Sequence, residues 1–192
     1  MADDVVDVIK AQHREIDRLL DQAMAEGSDT TALLRQVSEM LTAHSEAEES
    51  FVYPTIAQKQ PQEGEEVKDG AAEHHHIDEV LQALLAEEPD APGFDGRLAG
   101  LVGELRHHVE EEEQDLLPVL SEQASDDERA AMGARFAQET GWTGGTGAAA
   151  EGGAGDEGGP TRAELYERAK EQDVPGRSKM SKAELGEAVE DD

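Results

Sequence analysis

An all-α fold, an antiparallel up-down four-helix bundle, is what this sequence predicts, on three observations. Apolar residues recur at helical spacing throughout residues 1–139. Four such stretches of about 20–30 residues are joined by short polar connections, which makes consecutive helices antiparallel neighbours. No run of alternating β-branched residues points to a strand.

The first helix carries Val5, Val6, Ile9, Ile16, Leu19 and Leu20 as its apolar stripe. "EGSDTT" at 26–31 breaks it and offers Ser28 and Asp29 as caps for the next. A second helix is predicted from about Thr30 to Gln58, with Leu33, Leu34, Val37, Met40, Leu41 and Phe51 inward. Pro54 bends it without ending it, since apolar residues continue to Ile56. "KQPQEGEE" turns the chain into a third helix, about Glu66 to Ala86. "EEPDAPGFDG" leads to a fourth, about Arg97 to Leu120, with Pro118 near its end. "SDDE" at 125–128 is a capping box for a short fifth helix.

Beyond the bundle (1–139), residues 140–160 hold nine glycines and read as a flexible Gly-rich linker. Residues 161–192 return to helical composition and read as a small C-terminal helical hairpin. There is no cysteine, which excludes disulfides, thiolate metal sites and cysteine nucleophiles. Any metal must be held by imidazole and carboxylate. Formal net charge is −30, from 46 acidic against 16 basic residues, a surface that repels nucleic acid and anionic membrane. No apolar run is long enough to span a bilayer, and "MADDVVDVIK" is acidic where a signal peptide would be basic. A cytoplasmic protein with no membrane partner is expected.

An internal repeat singles out the histidines. "HREIDRLL" (13–20) aligns with "HHHIDEVL" (74–81), and "HSEAEESFVYP" (44–54) with "HVEEEEQDLLP" (108–118). The offsets are 74 − 13 = 61 and 108 − 44 = 64. The repeat selects His74 from its triplet by the shared Ile, Asp and Leu that follow, and His108 from its pair because only that residue keeps both the Glu and the Pro spacing. Residues i and i+4 share a helix face, so His44–Glu48 and His108–Glu112 are predicted chelating pairs, joined by His13 and His74. An isolated HxxxE is ordinarily a solvated face; two repeat-related copies are not easily explained that way. His75, His76 and His107 are expected on the surface or behind the ligands. Glu49, Glu110, Glu111 and Glu113 are expected to be solvated rather than ligating, and Phe51 and Tyr53 to pack. Four imidazoles and two carboxylates suit two iron, manganese or zinc ions.

Together, "AQHREIDRLL", "HSEAEESFVYP", "EHHHIDEVL" and "HHVEEEEQDLLP" resemble the hemerythrin-type HHE cation-binding domain, over about residues 5–122. The resemblance implies a four-helix bundle around a non-haem di-iron centre. It implies His13, His44, Glu48, His74, His108 and Glu112 as iron ligands, with iron ahead of manganese or zinc. The oxygen-carrying members have a further histidine one turn after the third-helix ligand, where this chain has Asp78. That leaves an open position, or one filled by Asp78. The fourth-helix carboxylate also differs, being Glu112 four residues after its histidine where the carriers have an aspartate at five.

The tail "TRAELYERAKEQDVPGRSKMSKAELGEAV" resembles the N-terminal helical hairpin of the Rho transcription terminator. It implies contact with a protein partner or nucleic acid. Its basic side chains, such as Arg162, Arg168 and Lys170, stand among nine acids in 161–192. The expected function is a di-iron protein that binds, senses or reacts with O2, NO or peroxide. The alternatives are a metal-storage module without redox chemistry and an adaptor acting through its tail.

Overall fold

A computed structural model describes residues 4–144. Among them the regular elements are all helical: α1 (Val5–Ala23), α2 (Thr30–Ala47), α3 (Tyr53–Lys59), α4 (Glu66–Leu85), α5 (Phe94–Glu111), α6 (Leu117–Gln123) and α7 (Asp126–Thr140). No described helix is long and apolar enough to cross a membrane. The glycine-rich stretch from 145 onward and the hairpin at 161–192 lie outside the described residues.

Side chains close the helix ends where the sequence offers them. Asp4 accepts the Val6 N–H at 2.9 Å and starts α1. The two caps expected before α2 divide their work. Asp29 accepts the Ala32 N–H at 3.1 Å, whereas the Ser28 hydroxyl donates back to the Ala23 carbonyl at 3.1 Å and closes α1. The capping box before α7 forms only in part. Ser125 accepts the Glu128 N–H at 3.3 Å, but the Glu128 carboxylate pairs with Lys59 at 2.9 Å instead of returning. The fourth helix begins earlier than its spacing predicted, at Phe94, because that ring is core and Gly93 supplies the left-handed turn (φ 82°) before it.

Pro54 and Pro118 do not end their helices, but they change the pitch. A π turn over Glu48–Val52 joins α2 to α3, and another over Glu112–Leu116 joins α5 to α6. The Tyr53 N–H donates to the Glu48 carbonyl, and the Leu117 N–H to the Glu112 carbonyl, five residues back in each case. A proline has no N–H to give, and its ring crowds the carbonyl four residues earlier. A widened turn just before it accommodates both demands. The turns therefore recur where the Glu–x5–Pro spacing recurs.

The rods α1, α2–α3, α4 and α5–α6 pack each on the next, and α5 closes on α1. Two apolar clusters fill the interior. One gathers Ile16, Leu20, Leu34, Leu81, Leu98 and Leu101; the other gathers Val5, Ile9, Val52, Ile56, Leu117 and Leu120. His13, His44, His74 and His108 fall along their helices between residues of the first cluster and residues of the second. A polar layer thus separates two greasy ends.

α7 lies on α1 and α2. Arg129 anchors its start through Asp4 at 2.6 Å and the Ala124 carbonyl at 2.7 Å. Phe136 is fully buried, edge-on to His44 with ring centroids 5.4 Å apart. Phe136→Ala should therefore destabilise the protein by about 3–5 kcal/mol in chemical denaturation; a loss below about 1 kcal/mol would mean that α7 is not docked.

Candidate metal centre

Six polar side chains meet in that middle layer, and all six are buried: His13, His44, His74, His108, Glu48 and Glu112. The imidazoles arrive as two pairs. His13 Nε2 lies 3.1 Å from His44 Nε2, and His74 Nε2 lies 2.9 Å from His108 Nε2. Glu48 reaches both pairs, with Oε1 3.0 Å from His44 Nε2 and Oε2 3.3 Å from His74 Nε2. Glu112 Oε2 lies 3.2 Å from His13 Nε2. Donor atoms from His13, His44, Glu48 and Glu112 lie within 4.8 Å of one another. His74 and His108 join them through the far oxygen of Glu48.

The spacing predicted one i,i+4 chelate on each helix. His44–Glu48 forms that contact, but Glu112 turns toward His13 of the other repeat. The carboxylates thus link the two halves of the bundle. Both π turns begin at these glutamates, so the change of pitch that the prolines impose falls where the carboxylates turn inward.

None of the four carboxylate oxygens of Glu48 and Glu112 has a hydrogen-bond partner, although imidazole nitrogens stand 3.0–3.3 Å away. Those nitrogens aim at a shared space, not along the lines that would hydrogen-bond the oxygens. A void of about 10 Å³ touches all four imidazoles and is walled by Ile16, Leu41, Leu105 and Val109. Burying an unpartnered carboxylate is costly unless a cation compensates it. The donor set therefore fits a metal.

Each imidazole is held from behind by its other nitrogen. His13 Nδ1 meets Glu113 at 2.9 Å, His44 Nδ1 meets Gln12 Oε1 at 3.0 Å, His74 Nδ1 meets Glu49 at 3.1 Å and His108 Nδ1 meets Glu73 at 2.8 Å. An N–H donated there leaves Nε2 free to coordinate. Sequence reasoning passed over these four. Glu49 and Glu113 were expected to be solvated, yet each supports an imidazole of the opposite repeat. The repeat could have found them, because Gln12 pairs with Glu73 at offset 61 and Glu49 with Glu113 at offset 64. Gln12 also donates to the Thr140 hydroxyl at 2.8 Å, which ties the layer to α7.

Other expectations resolve plainly. His75, His76 and His107 are exposed. Asp78 is exposed too and accepts from Gln82 at 3.2 Å, so it does not fill the position left by the absent histidine. Phe51 packs on Phe136, as expected. Tyr53 does more than pack: its ring stacks on His74 at 5.6 Å and its hydroxyl lies 3.4 Å from His74 Nε2. Burial, then the charges of Glu48 and Glu112, push its phenol pKa up, so it stays neutral.

Without metal, the layer neutralises itself with protons. Burial alone would lower His13, but Glu112 and Glu113 outweigh it and raise its pKa to about 10. His74 is raised likewise, burial being outweighed by Glu48 and Glu49. Burial would raise Glu48, but His44 and His74 hold it well below the ordinary carboxylate value.

A match to the Hemerythrin HHE cation binding domain covers residues 4–120. The chain is similar to an uncharacterized hemerythrin-like protein of Schizosaccharomyces pombe, 31% identical over 97 residues, 50% of this chain and 48% of that protein. It is also similar to a DNA nickase of Nostoc sp., 27% identical over 128 residues, 65% of this chain and 35% of that protein. The chain thus spans about half, or less, of the length of these relatives. No solved structure matches.

Two outcomes follow from the geometry. Glu48→Ala and Glu112→Ala should lower bound metal sharply, and Glu113→Gln or Glu49→Gln should weaken affinity about 10–100-fold. His75→Ala and His107→Ala should leave it unchanged; equal loss in both sets, measured by equilibrium dialysis, would contradict the arrangement. The second outcome concerns protons. With His13 raised from 6.5 to about 10, metal binding near neutral pH must expel its proton, so affinity should climb with pH toward that value. Calorimetry in buffers of different ionisation enthalpy reads the release directly, and proton-neutral uptake would contradict it. In the metal-free protein, the stabilisation from His13 is complete below pH 6.5 and lost as pH rises through about 10. The contribution of Glu48 runs the other way: it is present above pH 4.5 and lost on acidification.

Proposed function

We propose that this chain, which belongs to the hemerythrin HHE cation-binding domain family, holds a pair of non-haem iron ions at the centre of an antiparallel up-down four-helix bundle, where it binds, senses or reacts with a small oxidant. One observation carries the reading. Glu48 sets one carboxylate oxygen against His44 and the other against His74, and both oxygens lack a hydrogen-bond donor. A carboxylate so placed serves two cations at once. His13 and His44 would hold one ion, His74 and His108 the other, with Glu48 and Glu112 shared.

When bound, iron supplies electrons and open coordination positions for O2, NO or peroxide. The chain's own residues prepare the site for that ligand. Glu113, Gln12, Glu49 and Glu73 fix the imidazole tautomers. Ile16, Leu41, Leu105 and Val109 keep bulk water out. The neutral Tyr53 hydroxyl holds a proton 3.4 Å from His74 Nε2, where an exogenous ligand would want a donor. With Asp78 turned to solvent, no fifth imidazole or carboxylate from α4 completes the set. That openness favours reaction or sensing over reversible carriage. The nickase name of the Nostoc relative is not carried over to the bundle, whose acidic composition repels phosphate.

Anaerobic loading with ferrous iron, followed by air, tests the reading. Two irons per chain and a new near-ultraviolet and visible charge-transfer band on exposure are expected. A protein that binds zinc in preference, or whose iron form is inert to O2, NO and peroxide alike, would overturn it in favour of metal storage.

A further inference from the structure

The two halves of the bundle repeat the buried layer but not what covers it. A cavity of about 30 Å³, room for about one water-sized ligand, opens beside His108 and Glu112 between α4 and the second π turn. Its rim is Glu66, Asp69, Glu73, Glu111 and Asp115, and no Lys or Arg lines it. The repeat offsets of 61 and 64 place Val5, Val8, Gln12, Ala47 and Phe51 at the same five positions in the other half. Those residues are buried, and four of the five belong to the apolar cluster that packs on α7 through Met132 and Phe136. One mouth is plugged by α7, and its counterpart is open and lined with carboxylates.

The floor of the open mouth differs in the same way. Gly70 stands where the other half has Ile9, and Tyr53 where it has Leu117. A Cβ on residue 70 would come within 3.0 Å of the Tyr53 hydroxyl. Tyr53 thus fills the space that a side chain at 70 would take.

We propose that this acidic mouth is the route by which divalent cations reach the buried histidine–glutamate group. The inference rests on the reading that the group holds metal. Glu66, Asp69, Glu111 and Asp115 are exposed, and Glu73 is partly so. They concentrate cations at the rim and raise the rate of capture. No Lys or Arg among the described residues pairs with these acids; their partners are imidazoles, His107 3.5 Å from Glu111 and His108 2.8 Å from Glu73. At the inner end stands Glu112, 1% exposed, with both oxygens unpartnered and lining the same cavity. A dehydrating cation thus passes from exposed carboxylates to a buried one and then to imidazole. The repeat-equivalent mouth has no such acidic rim, being filled by the apolar residues that pack with Met132 and Phe136.

Stopped-flow uptake of cobalt(II) by the metal-free full chain, followed by its visible absorption, tests the route. The rim variant Glu66→Gln/Asp69→Asn/Glu111→Gln/Asp115→Asn removes four charges and no imidazole support. A remote control, Glu26→Gln/Glu39→Gln/Glu88→Gln/Asp90→Asn, removes as many from exposed positions outside the cavity. At low salt the rim variant should load on the order of tenfold slower than the control, with a flatter salt dependence and the same final cobalt content. Rim-variant uptake at the control's rate would overturn the route while leaving the metal reading intact. A wild-type chain that takes up no cobalt would overturn the metal reading and, with it, the route.

Discussion

Two carboxylates without donors, Glu48 and Glu112, are the constraint on which the rest of the bundle depends. Each lies in an interior otherwise built of leucine, isoleucine and valine, and each is essentially inaccessible to water. In the bare chain, protonated imidazoles offset part of the cost, which is why His13 and His74 are raised and Glu48 is lowered. That compensation is incomplete, because the nitrogens converge on space and not on the oxygens. A cation there satisfies carboxylates and imidazoles at once. Replacing the six with well-packed apolar residues should stabilise the metal-free fold, as it does for other buried ion groups. The layer is a functional burden that the two apolar clusters must carry.

Duplication explains how one short motif supplies the whole layer, and divergence explains its two faces. Both halves keep a histidine on the leading helix, HxxxEE on the following one, and a proline five residues beyond the second Glu. Two of the four supporting acceptors cross between halves, Glu49 to His74 and Glu113 to His13, while Gln12 and Glu73 support His44 and His108 within their own. Each half therefore borrows the acceptor for one of its two imidazoles. Against that symmetry, α7 was added to one side only, seated by Phe136 and clamped by Arg129. The other side kept its opening, its glycine and its acids.

Much of this was legible in the sequence, and the reasons differ by feature. Helix positions followed from apolar spacing, and the repeat separated His74 and His108 from their neighbours where composition could not. All six residues picked that way are buried together. The π turns were not legible as such: Pro54 signalled a bend, but whether a bend becomes a kink or a widened turn depends on what the freed carbonyls meet. The crossing of Glu112 to His13 depends on tertiary packing, which i,i+4 spacing cannot report. Glu49 and Glu113 looked like part of a solvated acidic run, because a second-layer acceptor and a surface glutamate have the same composition. Asp78 shows the converse, a residue at a meaningful position in the family pattern that here simply faces water.

Thermal unfolding of the same preparation, stripped of metal and then reloaded, is the most direct test of the central claim that this layer is built around cations. Binding only to the folded state stabilises by about 2.7 kcal/mol per site at a free metal concentration roughly 100-fold above Kd. For a domain of this size that is a rise in Tm of roughly 5 °C or more. The account predicts that rise for wild type, and its loss in Glu48→Ala. Superimposable melting curves for verified metal-free and metal-loaded wild type would contradict it.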